Sequence, residues 1–172
     1  MPKTYTVNPE GTDAPPLIDG TPVPAALQGP TIVLPQDSVA NGRAFAKPGE
    51  LEVSFAATES VGTTGLGHCM GLCVVWGRAN EAFANGYCAH LSSVQGTRYT
   101  NCMTAIQTRM VPHNPWVAIS IGSSGTWIDT LVGHLRGMNI PDNHIWVYNR
   151  ADKSNTFGVD KNGRFGLLAA PG

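Results

Sequence analysis

Regular alternation of apolar and polar positions begins at Leu51, where Leu51, Val53 and Phe55 interleave with Glu52 and Ser54. Successive side chains on a strand point to opposite faces, so this pattern predicts a half-buried strand. Thr58 to Gly67 is read as loop, with Gly62, Gly65 and Gly67 supplying unusual backbone angles. Met70 to Trp76 is a continuous apolar run suited to a buried strand, Gly77 to Asn85 a turning segment, and Tyr87 to Ser92 the next strand. From Arg98 to Met110 the period changes. Tyr99, Cys102, Met103, Ile106 and Met110 repeat as one face of a helix, which Pro112 and Pro115 end. Trp116 to Ile121 reads as a strand and Gly122 to Gly125 as a turn. A second helix is expected from about Trp127, with Thr126 as N-cap, Asp129 in the first turn, Trp127, Leu131 and Leu135 on the buried face and Gly137 just past the end. Ile145 and Val147 mark another strand. Asn162-Gly163 predicts a hairpin joining Thr156–Val159 to Arg164–Leu168. The pattern is that of an α+β domain with several short strands and two helices.

The first 50 residues behave differently. They hold nine of the 13 prolines, and proline removes a backbone donor and fixes φ. Regular helix and interior strand are therefore not expected there, and residues 1–29 read as an extended Pro-rich arm ahead of a single domain over residues 30–172. Thr31 to Leu34 is expected as a short edge strand. A chain of 172 residues can bury roughly 70% of its unfolded surface, enough for a core without staples. A net charge of −1 and a pI near 6.5 provide no basic stripe for nucleic acid. No run of about 18 apolar residues is present to cross a membrane. Met1-Pro2-Lys3-Thr4-Tyr5 lacks the apolar stretch of a signal peptide, which points to synthesis in the cytoplasm and leaves a leaderless export route open.

Cys69, Cys73, Cys88 and Cys102 lie within 34 positions, with His68 and His90 among them. A cytoplasmic chain of this size is expected to keep them as free thiols. Cys69 stands where a glycine-rich loop, Thr63-Thr64-Gly65-Leu66-Gly67-His68, meets a buried strand. Such a junction exposes a side chain at a sheet edge, holds its backbone, and offers N–H groups to an oxyanion. A small core residue is the competing role for Cys69, and a packed core imidazole that for His90. His90 follows 21 positions later on its own strand; if the two strands pair, the imidazole can approach the thiol. A thiol of pKa about 8.5 is only about 3% thiolate at neutral pH, and a neighbouring imidazolium can raise that fraction to most of the population. His68, Cys69, Cys73, Cys88 and His90 are also acceptable zinc ligands, although C-x3-C with C-x-H is not the spacing of common structural sites. His113, His134 and His144 have no evident partners in sequence. No phosphate-cradling loop, dinucleotide fingerprint or nucleophile elbow is present.

The segment Thr63…Leu66-Gly67-His68-Cys69, followed by an apolar strand and then His90, resembles the cysteine glutamine deamidases of the CheD and cytotoxic necrotizing factor type. CheD proteins carry L-G-S-C and the toxins L-S-G-C at the nucleophile; here the segment is L-G-H-C, with His68 in place of a small residue. The long stretch ahead of Cys69 is similar in layout to the Burkholderia lethal factor-type toxins. The resemblance implies two facing mixed β-sheets with flanking helices. It further implies Cys69 as nucleophile, His90 as acid and base, Thr63 as the residue that orients His90, and Gly67, His68 and Met70 around the oxyanion and substrate. The implied reaction is hydrolysis of a protein glutamine to glutamate, with ammonia released through a thioester and no metal or organic cofactor. The implied setting is a bacterial effector acting on a host protein. A chemoreceptor deamidase, transglutamination from the same thioester, a papain-like peptidase and a zinc-stabilised binding module without catalysis are the alternatives.

Overall fold

A computed structural model describes residues 3–6, 17–18, 21–22, 32–33, 43–46, 49–63, 65–80, 82–121, 127–149, 157–163, 165–166 and 168–169. The strands in chain order are β1 (Lys3–Thr6), β2 (Leu17–Ile18), β3 (Thr21–Pro22), β4 (Ile32–Val33), β5 (Arg43–Ala46), β6 (Glu50–Ser54), β7 (Ser60–Thr63), β8 (Met70–Ala79), β9 (Ala82–Leu91), β10 (Trp116–Ile121), β11 (Ile145–Asn149), β12 (Phe157–Asp160), β13 (Phe165–Gly166) and β14 (Leu168–Ala169). Helix α1 spans Thr97–Ala105 and α2 spans Ile128–Gly137.

The α+β class read from the sequence is present. Eight strands form one mixed sheet in the order β3-β2-β1-β11-β10-β8-β9-β6, with β1, β11 and β10 parallel and the remaining pairs antiparallel. A second mixed sheet runs β13-β12-β7-β5, and β14 pairs with β4 in a two-stranded ribbon. β10, α2 and β11 make a parallel crossover, which requires a connection long enough to span the sheet, and the helix supplies it.

The two faces of the large sheet are separated by the parity of β8 and β9. Met70, Leu72, Val74 and Trp76, with Tyr87, Ala89 and Leu91, pack against Tyr99, Cys102, Met103 and Ile106 of the first helical segment and Leu131 and Leu135 of α2. Cys73, Val75 and Cys88, with Ala118 and Trp146, face the opposite way, onto Val61, Phe157 and Val159 of the second sheet. Both sides of β8 are therefore covered, which explains a continuous apolar run in place of alternation. The result is three layers: helices, large sheet, small sheet.

Several sequence expectations need correction. Ser60–Thr63 is a fully buried strand, not loop; it is short and contains Gly62, so composition hid it. The segment Gly77–Asn85 is mostly strand, because β8 and β9 continue to Ala79 and Ala82 and turn at Asn80, whose φ is 51°. Helix α1 ends at Ala105, and a π-helical turn, Ile106–Met110, carries the same apolar face onward. Gly137 is the last residue of α2; the left-handed position falls at Asn139, with φ 64°. The expected N-cap Thr126 and the turn 122–125 lie outside the described residues. Four residues, 161–164, separate β12 from β13, in place of the two-residue turn expected at Asn162-Gly163. Gly163 N–H donates to Asp160 O, and Gly163 takes the positive φ of 75°. Ile32–Val33 is a strand as expected. Lys3–Thr6, however, is an interior strand between β2 and β11. It occupies the proline-free interval between Pro2 and Pro9, while Pro22 falls on the edge strand β3, where a missing donor costs no ladder bond.

Candidate functional site

The loop ahead of Cys69 is a tight turn. Cys69 N–H donates to Leu66 O at 2.6 Å, and Gly67 between them has φ 49°. Gly65, with φ 68°, bends the chain just before it. Positive φ is cheap only for glycine, so these two positions explain the glycines of the motif. Leu66 is buried, and its Cδ1 lies where strand β8 begins: a Cβ on Gly71 would meet it at 3.1 Å and would meet Phe157 at 3.4 Å. Gly71 thus lets Leu66 fold back over the strand and anchors the turn that presents Cys69.

The register brings the two principal residues near each other. β8 and β9 are antiparallel, with Met70 opposite Leu91 and Gly71 opposite His90. Cys69, one residue before β8, therefore stands diagonally from His90, a relation that long side chains can bridge. Cys69 packs on the inter-sheet cluster, the same side as Cys73, and His90 has the parity of Cys88 on that side. Cys69 is partly exposed, and His68 beside it is exposed. His90 is buried, 6% exposed. The thiol is at the rim and the imidazole behind it.

Thr63 reaches the same layer from the second sheet. It ends β7, which lies against β9, and shares the inward parity of Val61; opposite it on β12 is Phe157. Its Oγ1 is buried with no hydrogen-bond partner among the described residues. A buried hydroxyl left in that condition costs free energy, so its retention calls for an explanation.

The backbone donors divide unequally. Cys69 N–H is used inside the turn. His90 N–H donates to Gly49 O on the β6 side of β9 at 2.8 Å, so by the alternation of an antiparallel ladder Leu91 turns its polar groups toward β8 and pairs with Met70. Gly67 and His68 are the positions of the turn next to the thiol.

Burial discriminates among the four cysteines, which the sequence treats alike. Cys73, Cys88 and Cys102 are buried; only Cys69 is partly exposed. Desolvation pushes the Cys73 thiol well above its ordinary value, and its contact with Cys88 adds to the shift. Burial pushes Cys102 up to about 12, against a lowering by its hydrogen bond with Tyr87. Neither is a nucleophile near neutral pH. Among the described residues, no group of three or more His, Cys, Asp or Glu is arranged to hold a metal ion.

Two residues escaped the sequence reading. Ser120 is fully buried on β10 opposite Gly71, on the face of Ala118, so that His90, Gly71 and Ser120 form one row across the sheet. Its signal was a single polar residue, next to last, in an otherwise apolar strand. Gly71 itself was read only as part of an apolar run. Two of the other three histidines have structural partners: His134 Nδ1 is 2.5 Å from Tyr99 Oη, bridging the two helices, and His144 stacks on Trp116 while its Nδ1 is 3.0 Å from Pro115 O. Comparison of the sequence with protein-family models and with curated proteins finds no match to either.

Proposed function

We propose that this chain is a protein-glutamine deamidase of the CheD and cytotoxic necrotizing factor type, a hydrolase of side-chain carboxamides. The observation that carries the reading is the pairing of the one partly exposed cysteine, Cys69, with a buried histidine diagonal to it on the same face of adjacent strands. The mixed sheets facing each other beneath a helical layer agree with the architecture that the resemblance implies.

In this reading the Cys69 thiolate attacks the carboxamide carbon of a protein-bound glutamine. The resemblance assigns the oxyanion and substrate to the backbone around the thiol, at Gly67, His68 and Met70. His90 protonates the departing ammonia, leaving a thioester, and then takes a proton from the water that releases glutamate. Thr63 contributes to the placement of His90 from the facing sheet. The net change is one carboxamide and one water converted to one carboxylate and one ammonium. The gain of a negative charge can disable a catalytic glutamine or a docking surface on the target. The long segment ahead of Cys69 favours an effector acting on a host protein over a chemoreceptor deamidase.

The test exposes host-cell and bacterial lysates to the wild type and to Cys69→Ala, followed by mass-spectrometric mapping of glutamine-to-glutamate conversion. Conversion with the wild type alone is expected, with loss in His90→Ala. Identical maps for wild type and Cys69→Ala overturn the assignment; cleaved backbone bonds would indicate a peptidase instead.

A further inference from the structure

We infer that Cys73 and Cys88 form a cross-strand disulfide when the chain folds in the presence of a small disulfide oxidant. The two residues are direct register partners at the middle of the β8–β9 ladder, and their sulfurs are 3.7 Å apart. Because His90 N–H points toward β6, Cys88 does so too, and Cys73–Cys88 is a non-hydrogen-bonded pair of the antiparallel ladder. Opposed Cα atoms at such a site are about 4.5 Å apart, inside the window of about 4.4–6.8 Å that a disulfide spans. Both side chains point into the layer between the sheets, so their Cβ vectors are already turned the same way. Cys73 is flanked on β10 by Ala118, a small residue that leaves the sulfurs room to close. Neither cysteine takes part in the chemistry proposed for Cys69 and His90.

Timing follows from burial. Both sulfurs are inaccessible in the finished fold, and the Cys73 thiol is held protonated by desolvation. Exchange needs a thiolate and access, so the bond forms while β8 and β9 have paired and the second sheet has not yet covered them. One cysteine thiolate attacks the disulfide of oxidised glutathione, giving a mixed disulfide and one glutathione thiol. The second cysteine thiolate then attacks the protein sulfur of that mixed disulfide and expels the other glutathione. The protein loses two protons and two electrons, and the oxidant gains them as two glutathione thiols. In a reducing compartment the same glutathione pool keeps the pair as thiols.

The experiment refolds the full chain from a reduced, denatured state in a mixture of oxidised and reduced glutathione. The soluble protein is then denatured, alkylated and digested with trypsin. Two of the four thiols are expected to escape alkylation, the intact mass to fall by two hydrogens, and the fragment ending at Arg78 to be joined to the fragment ending at Arg98. Because the first fragment holds both Cys69 and Cys73, the same linkage must persist in Cys69→Ser; it must also persist in Cys102→Ser and vanish in Cys88→Ala. Four alkylated thiols in soluble refolded protein overturn the inference, as does a linkage that disappears in Cys69→Ser or in Cys102→Ser.

Discussion

Replacing Gly71 by alanine tests whether packing behind the Cys69 turn is set by Leu66. The new Cβ would approach Leu66 Cδ1 to 3.1 Å, tighter than ordinary contact, while Phe157 at 3.4 Å is near normal van der Waals distance. Overpacking a buried site costs about 1–3 kcal/mol. Removing a glycine from a strand interior returns about 0.5–1 kcal/mol through lower unfolded-state entropy. Since Leu66 presents the far end of a flexible side chain, the net expectation is a loss of about 1 kcal/mol, or about 2–4 °C in Tm for a chain of this size. Leu66→Ala alone should cost about 2–4 kcal/mol, because the side chain is buried and leaves a cavity. In that background Gly71→Ala should become stabilising by about 0.5–1 kcal/mol, the crowding having gone while the entropy gain remains. The sign reversal implies a coupling of about 1.5–2 kcal/mol, readable from urea midpoints of the four proteins at constant slope. An equal cost of Gly71→Ala in both backgrounds would refute the reasoning and point to Phe157 or the backbone as the crowded partner.

Iodoacetamide applied to native protein prepared under reducing conditions should alkylate Cys69 first, with Cys73, Cys88 and Cys102 labelled only on unfolding; early labelling of any of those three in a peptide map contradicts the burial pattern. Stability should fall above about pH 9 because the unfolded Cys102 thiol ionises near its ordinary value, whereas burial holds the folded one protonated to about 12. The folded state binds more protons in that window, so stability is intact below it and declines as pH rises, by at most about 1.4 kcal/mol per pH unit for this group. Urea midpoints between about pH 8 and about pH 11 should therefore fall less steeply in Cys102→Ala, and parallel slopes would remove Cys102 as the cause. Gly163→Ala should cost about 2–3 kcal/mol through its positive φ and a Cβ that would sit 2.6 Å from Phe83 Cε2; a thermal melt unchanged from wild type would show that the hairpin adapts.

Much of the fold was legible because period and burial agree. Leu51–Phe55 half buries as alternation requires, and Tyr99, Cys102, Met103, Ile106 and Met110 all reach the core despite the change from α- to π-helical turn. The strands lost to the sequence reading, Ser60–Thr63 and Arg43–Ala46, are four residues each, too short for periodicity to separate from loop. Lys3–Thr6 was hidden by the prolines around it, whose restriction is local to their own positions. At the candidate site, the loop–strand junction at Cys69 and a separate strand for His90 were readable from glycine placement and apolar runs. Register was not, and register alone brings Gly71 and Ser120 into line with His90. Nor could composition rank four similar cysteines, since exposure depends on which sheet covers each one.

The parallel alignment of Lys3–Thr6 with Trp146–Asn149 ties together stretches separated by almost the whole chain. Closing so wide a loop is entropically expensive and comes late in any order of assembly that rewards near neighbours first. Until that closure, strand β11 offers unsatisfied amides along one margin, an invitation to foreign strands. Residues 3–6 cover that margin, and deleting them should raise light scattering at a fixed protein concentration; unchanged scattering would show that the margin is protected in another way.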